Sequence, residues 1–400
     1  DFTSTQQMIL ADMPWQGKTH KVIWHAPKNG FFFVIDRETG TPLSIEPYTK
    51  TTWATHYDKN TWRPVETPGA NYQANPGTTI SPSSLGAHNW HPMSYSPATG
   101  LVYIPVTNTA SVYESMPTEF KWGHWNTGVQ LPSPPMTGMP TLTKKVMPKI
   151  FHGHLLAWNP VTQKEQWRIN HAVGANGGVL STAGNLLFQG TSTAEIIAAS
   201  ATTGDVKWRY NTQVGVIAAP VSYAIDGEQY IAVAAGWGGA TGLAVRFDGR
   251  NEIPPSRILV FKLGAKSTLP LGSNNFELVA IPPRTTASPA ELNNGLSLYA
   301  DHCMVCHGIS GISSKSIPDL RNLPMFFYQN FNQVLLEGMM ESAGMPSFNG
   351  VLTAQEVDNI YAYLIEEAHA LREESEPSIF DPITNVLYDI LANIIAWLET

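Results

Sequence analysis

The 400-residue sequence predicts a mainly β chain, a run of Trp-docked β-propeller blades, followed by a small all-α domain. A strand, a Thr-Gly turn and a strand ending in Trp recur at a period of about 40 residues. The composition is low in charge (14%), with 32 Gly, 30 Pro and 12 Trp, which excludes a disordered chain or a coiled coil. Beyond residue 288 the pattern changes to capped segments with apolar residues at helical spacing.

The repeat is read from three stretches that superpose without gaps: Val34-Ile35-Asp36-Arg37-Glu38-Thr39-Gly40, Ala157-Trp158-Asn159-Pro160-Val161-Thr162-Gln163 and Ala198-Ala199-Ser200-Ala201-Thr202-Thr203-Gly204. Trp167 and Trp208 close the second and third units, and so large a ring suits packing one blade on the next. A fourth copy, Ser96-Pro97-Ala98-Thr99-Gly100, runs into Leu101-Val102-Tyr103-Ile104. Thr162 and Thr203 stand about 41 residues apart, and Thr39 precedes Thr162 by about three such periods. Residues 108–150 interrupt the period with Met116, Met136, Met139, Met147, Trp122 and Trp125. A loop that long is a functional element or a cap: an apolar substrate funnel and inter-domain packing are both open.

Residues 264–287, with Pro270, Pro282 and Pro283 among Ser, Thr and Asn, read as a linker. The α-domain, 288–370, starts at a capping box, Ser288-Pro289-Ala290-Glu291, with Pro at the first helical position. A second box, Thr353-Ala354-Gln355-Glu356, precedes Val357, Ile360, Tyr361 and Leu364. Between them lies Cys303-Met304-Val305-Cys306-His307, which contains both cysteines of the chain. A bare Cys pair at this spacing suits a redox disulfide. The adjoining His points instead to haem c, whose two vinyl groups take two thiols while an imidazole binds iron. Met345, in Gly344-Met345-Pro346, is the candidate second axial ligand, presented from a loop because Pro346 opposes a helix; as a core residue it would be one of 12 methionines. Helix, haem loop, Met loop and helix together resemble a class I cytochrome c, which implies a bacterial periplasmic setting.

A Trp-docked propeller followed by a cytochrome c resembles the quinohaemoprotein alcohol dehydrogenases, which carry pyrroloquinoline quinone (PQQ) and haem c. The matching segments are Asp1-Phe2-Thr3-Ser4-Thr5, Ala26-Pro27-Lys28-Asn29-Gly30, His88-Asn89-Trp90 and Ala235-Gly236-Trp237-Gly238-Gly239, and the likeness covers about residues 1–370. It implies an eight-bladed propeller, of which residues 1–263 make about half. The sequence, which begins at Asp1 without an initiator Met, is expected to be the C-terminal part of a longer enzyme and to be inactive alone.

The resemblance also implies site residues. Asp1 is the base that takes the alcohol proton and a calcium ligand, with Ca2+ polarising the quinone carbonyl. Lys28 donates to the quinone oxygens, whereas composition alone would leave it a solvent-facing turn lysine. Asn89 offers a polar edge, Trp90 and Trp237 flat walls. Thr3 stands where lanthanide-using relatives have a second carboxylate, which favours calcium. The implied reaction is oxidation of an alcohol to an aldehyde, with hydride passing to PQQ and single electrons to haem c and then to a periplasmic acceptor: a cytochrome, a copper protein or a quinone. An electron-transfer cytochrome on a non-catalytic propeller, and a PQQ enzyme for a non-alcohol substrate, are the competing readings.

A net charge of −8 gives no footprint for nucleic acid, and no apolar run is long enough for an ordinary transmembrane helix. The pairs His88 with His91 and His152 with His154 lack a carboxylate or Cys companion and read as structural. In the tail, 371–400, an apolar stripe from Val386 through Ile390, Leu391 and Ile394 to Leu398 reads as a surface that docks on the propeller or a partner. The glutamates before it, including Glu366, Glu367 and Glu373, read as a solvated face.

Overall fold

The computed structural model describes residues 3–116, 119–123, 126–129, 150–238, 255–272, 277–313, 317–375, 386–391 and 393–394. Four antiparallel meanders follow one another along the first part. The first joins β1 (Ile9–Trp15), β2 (Lys18–His25), β3 (Phe31–Asp36) and β4 (Pro42–Pro47); two short antiparallel pairs, β5 (Ala54–Tyr57) with β6 (Pro64–Glu66) and β7 (Thr78–Ile80) with β10 (Ser111–Tyr113), form separate sheets. The second joins β8 (Ser94–Ser96), β9 (Leu101–Asn108), β11 (His152–Asn159) and β12 (Lys164–His171). The third runs from β13 (Val179–Ser181) through β14 (Leu186–Gly190) and β15 (Glu195–Ser200) to β16 (Val206–Asn211). The fourth has three described strands, β17 (Val221–Ile225), β18 (Glu228–Ala235) and β19 (Arg257–Lys262).

Each meander packs face to face on the next. Trp24, Phe32 and Val34 of the first meet Ile104, Leu156 and Trp158 of the second. Tyr103 and Leu155 of the second meet Val179 and Leu187 of the third. Ile196 of the third, with Val214 and Val216 of the loop that follows it, meets Val233 and Leu259 of the fourth. Successive blades sharing one core each with the neighbour are the packing of a propeller.

The repeated turn has a side-chain cause. Asp36 Oδ1 accepts from the amides of Glu38 and Thr39, and Asn159 Oδ1 from those of Val161 and Thr162. Ser200 Oγ accepts from Thr203 N, so an oxygen at the same position closes all three turns between third and fourth strands. The ladder slips at the equivalent residue each time, between Val34 and Ile35, Ala157 and Trp158, and Ala198 and Ala199. The Trp that closes a unit then reaches the next blade: a Cβ on Gly204 would stand 2.6 Å from the Trp167 ring, so only glycine, at φ +77°, lets the ring lie on that turn.

Two inferences from spacing are corrected. Gly100 closes the same kind of turn, but between the first and second strands of its blade, not the third and fourth. Thr39 and Thr162 occupy successive blades rather than blades three apart; β5, β6, β7, β10 and the long insertion fill the extra length. Met136, Met139, Met147 and Trp125 of that insertion lie outside the described residues.

The α-domain is built as its caps require. Ser288 and Glu291 form a complete capping box for α1 (Pro289–His302), with α2 (Met304–His307) directly after it. Short α3 (Met325–Gln329) and α4 (Phe331–Leu335) lead to the Met loop. Thr353 and Glu356 cap α5 (Ala354–Ser375) reciprocally. α1 crosses α5 at Gly295, whose Cα lies against the Asn359 backbone, and Tyr299, Val357, Ile360 and Leu364 fill the core beneath.

The stretch read as a linker is tied down at both ends. Gln213 accepts from Gly272 N and donates to the carbonyls of Leu269 and Pro270. Residues 277–284 run along α5, where Arg372 donates to Val279 O and His369 contacts Pro282 O. Arg284 pairs with Glu366 and Glu373, and Glu367 is buried, which corrects the reading of this acidic run as a purely solvated face. In the tail, Val386, Leu387, Ile390, Leu391 and Ile394 are exposed, so these described residues do not pack on the propeller; Leu398 lies outside the described residues. Among the described residues no helix is long and apolar enough to cross a membrane.

Candidate functional site

Two sites take shape, one in each part. In the α-domain, Cys303, Cys306, His307 and Met345 line a single cavity of about 510 Å³. The remaining walls are apolar, among them Leu320, Phe327, Phe331, Leu335, Phe348 and Leu364. α1 and α2 place both thiols and the imidazole on one wall, because residues i, i+3 and i+4 of a helical turn share a face. Burial pushes the Cys303 thiol up to about 12, while Cys306 is exposed. His307 is buried, and its Nδ1 stands 3.2 Å from Pro318 O. With Nδ1–H donated to that carbonyl, Nε2 is the nitrogen left for a metal.

The residues of this cavity suit haem c. Two thiols, an imidazole with its tautomer set and a thioether surround an apolar volume within the usual ligand-pocket range. The sequence reading of Met345 misses one neighbour: Met340 lines the same cavity, and its carbonyl accepts from Met345 N. Asn322 is a second missed residue: it lines the cavity, accepts from Val279 N and Arg372, and donates to Glu277 O. No motif announces either, since both act through the folding of distant segments onto the haem loop.

The second site lies where loops at the ends of successive blades meet. Thr3, Thr5 and Gln6 cross the loop that precedes β8. Lys28 Nζ donates to Thr3 Oγ1 at 3.2 Å, Thr5 Oγ1 to Asn89 Oδ1 at 3.4 Å, and Gln6 Nε2 to His88 O at 2.9 Å. Lys28 is buried, with its stem against Gly86, and desolvation holds its amine below the usual lysine range. That replaces the solvent-facing turn lysine that composition alone suggests. Asn89 partly serves its own loop, donating to Leu85 O and accepting from Trp90 N. Asp1, named as base and calcium ligand, lies outside the described residues.

Trp90 and Trp237 face one open cleft of about 630 Å³, with Pro92, Ile217, Ser256 and Arg257 among its walls. Trp237 lies on Gly215, and Trp90 stacks on the His91 ring with centroids 4.2 Å apart. Lys28 and Asn89 do not line that cleft; the Asn89–Trp90 peptide joins the two groups. For PQQ the fit consists of a buried cation and a polar edge at the loop junction, with flat aromatic walls in the separate cleft that begins at Trp90. For calcium, the described residues gather no group of three or more His, Cys, Asp or Glu, and the expectation rests on Asp1.

The histidine pairs are structural in the fold. The His88 ring stands 2.7 Å from both Ala26 O and His91 O, and His154 Nδ1 is 3.2 Å from the Asn108 amide. Burial drives the imidazoles of His91 and His154 down to about 3.

Comparison with known proteins follows the same division. Residues 121–231 match the family described as glucose/ethanol/alcohol dehydrogenase, β-propeller domain, and residues 290–364 match cytochrome C oxidase, cbb3-type, subunit III. The chain is 40% identical over 386 residues to quinohemoprotein alcohol dehydrogenase ADH IIB of Pseudomonas putida, covering 94% of this chain and 54% of that protein. The structure of quinohemoprotein alcohol dehydrogenase ADHIIG from Pseudomonas putida HK5 aligns with a TM-score of 0.84 at 38% identity, over 93% of this chain and 55% of that one. The Comamonas testosteroni quinohemoprotein alcohol dehydrogenase aligns with a TM-score of 0.76 at 37% identity, over 93% and 54%. The chain thus spans about half the length of the relatives it matches.

Proposed function

This chain is a homologue of the quinohaemoprotein alcohol dehydrogenases, and on that premise we propose that it forms the quinone-facing and haem-bearing portion of a PQQ-dependent dehydrogenase of small alcohols. The observation that carries the reading is the pairing of a cavity holding Cys303, Cys306, His307 and Met345 with a buried lysine at a loop junction of the propeller. When bound, PQQ supplies the hydride acceptor, calcium the Lewis acid and haem c the one-electron relay.

This chain's own residues then have defined tasks. Asp1 takes the proton of the alcohol hydroxyl. Lys28, cationic and desolvated, donates to the oxygen on which negative charge develops, where a low-dielectric setting makes that donation strong. Asn89, Trp90 and Trp237 orient the planar cofactor and exclude water. Cys303 and Cys306 would attach the haem and His307 and Met345 would bind its iron, and the haem would supply the one-electron route to a periplasmic acceptor, a cytochrome, a copper protein or a quinone. The propeller to residue 263, the connector 264–287, the haem domain 288–370 and the tail 371–400 are the units of this reading.

An absorption spectrum of the chain matured with haem c in a bacterial periplasm tests it, recorded before and after PQQ and calcium are added. A low-spin c-type spectrum that survives denaturation, with haem reduced on adding a primary alcohol, is the expected result. No covalent haem ends the cytochrome assignment. Haem that stays oxidised, in this chain and in a longer protein containing it, ends the dehydrogenase assignment.

A further inference from the structure

We propose that the Lys121–Gly123 turn of the propeller insertion is the latch that holds the haem domain against the propeller, keyed to His302, which lines the cysteine-bearing cavity together with Phe348, and to Val351. The turn is closed on itself by a reciprocal amide pair: Lys121 N donates to Asn126 Oδ1 at 2.8 Å, and Asn126 Nδ2 donates back to Lys121 O at 2.9 Å. An isolated bridge between Ser115 and Val129, and a bond from Met116 N to Gly128 O, anchor its base. The described residues on either side of the turn are therefore held by backbone and side-chain bonds.

That turn meets the haem domain in two ways. His302 Nδ1 stands 3.0 Å from Gly123 O, across 179 residues of sequence. A Cβ on Gly123 would lie 2.5 Å from Val351 Cγ2 and 2.7 Å from Cγ1, so the glycine backbone seats directly on the valine. Gly123 has φ +74°, which a glycine adopts without strain, and the same missing side chain permits the approach. On the receiving side, His302 adjoins Cys303 and lines the cavity with Phe348, its ring edge-on to that phenylalanine at 5.9 Å. The contact thus falls on a residue that lines the cavity directly before the buried Cys303, while Val305 and Cys306 are exposed.

The latch involves no quinone, so it is tested on haem-loaded protein without PQQ, by amide hydrogen exchange of the 119–123 and 348–352 peptides. Gly123→Ala drives a methyl into Val351 and is expected to speed exchange in both peptides about tenfold, with the haem spectrum unchanged. Adding Val351→Ala removes the collision and is expected to return the 348–352 peptide to within about twofold of the parent, leaving only the strained turn fast. His302→Phe keeps the ring beside Phe348 but removes the donor, and a rise of about threefold in both peptides is expected. If the 348–352 peptide exchanges as in the parent in both Gly123→Ala and His302→Phe, the contact is incidental and the latch is overturned. That result would leave the dehydrogenase reading intact, just as a failure to bind quinone would leave the latch intact.

Discussion

The ammonium of Lys28 donates to the hydroxyl of Thr3 across 3.2 Å, from a position that is itself buried. A lysine desolvated to this degree is expensive to keep charged unless its donors are used, so its placement beside the amino-terminal segment is informative. It ties the segment beginning at Asp1 to the one proposed to contact the quinone, although the two are far apart in sequence.

Replacing Lys28 by Met keeps the stem and deletes the charge. Alcohol-driven haem reduction in protein loaded with PQQ and calcium is expected to fall by roughly 10²- to 10³-fold, as for loss of a single donor to developing negative charge. Stopped-flow absorbance of the haem band measures it, and a rate within a factor of three of the parent would remove Lys28 from the proposed chemistry.

Thr3→Asp places a carboxylate in front of the same ammonium. The expected result is a raised Lys28 pKa and tighter binding of a trivalent lanthanide relative to calcium, since a hard cation gains from an added anionic oxygen. Terbium luminescence sensitised by tryptophan, competed with calcium, reads this directly; unchanged competition argues that Thr3 faces no metal.

Met345→Ala removes the thioether that raises the haem potential in the proposed ligation. The midpoint is expected to drop by on the order of 0.1–0.3 V, inside the roughly 0.8 V range that axial ligands control. Because Met340 lines the same cavity, the Met340→Ala change is the control and is expected to leave the midpoint nearly unchanged. Equal shifts in the two variants would reassign the distal ligand.

Trp167→Ala should cost roughly 2–3 kcal/mol of propeller stability, below the full range for a core Trp because the ring is half-buried. Gly204→Ala should approach the same loss, since its methyl would stand 2.6 Å from that ring. Urea midpoints of the two single changes and of the double one check the coupling: a double change costing the sum of the singles would deny that the two residues share a contact.

Acid should weaken the propeller in two steps with different owners. His91 and His154 are held near 3 by burial, so the unfolded chain binds protons that the native one refuses. Stability is therefore complete above about pH 6.5 and is lost as pH falls toward 3. Asp36 is held at about 2, first by its bond with His20, and its contribution persists until pH falls from 3.8 toward 2. The pH dependence of the denaturation midpoint, followed from pH 8 to 2, should flatten between 6.5 and 3 in His154→Gln, whereas Asp36→Asn should remove only the dependence below about 3.8.

The haem end was readable from the sequence because its requirements are local. Cys303, Cys306 and His307 fall within one five-residue stretch, the two capping boxes are four-residue patterns, and all of them occur in the fold as read. The repeated turn was readable for the same reason: Asp36, Asn159 and Ser200 each satisfy amides two or three residues away. Spacing misled where it stood in for topology, placing three periods between Thr39 and Thr162 that are occupied by hairpins and an insertion within one blade-to-blade step.

Residue chemistry by itself thus determined that this protein carries a covalent haem motif on a capped helical domain behind a Trp-docked β repeat. Only the tertiary structure decided which remote groups share a site: Lys28 with Thr3, Trp90 with Trp237, Asn322 with the haem loop, and Gly123 with His302. The reason is physical. A capping oxygen or a Cys-x-x-Cys-His turn gains its free energy within a few residues, so its pattern is written consecutively. A junction of loops from successive blades is set by how the apolar faces of whole sheets pack, and that burial has no register in the local sequence.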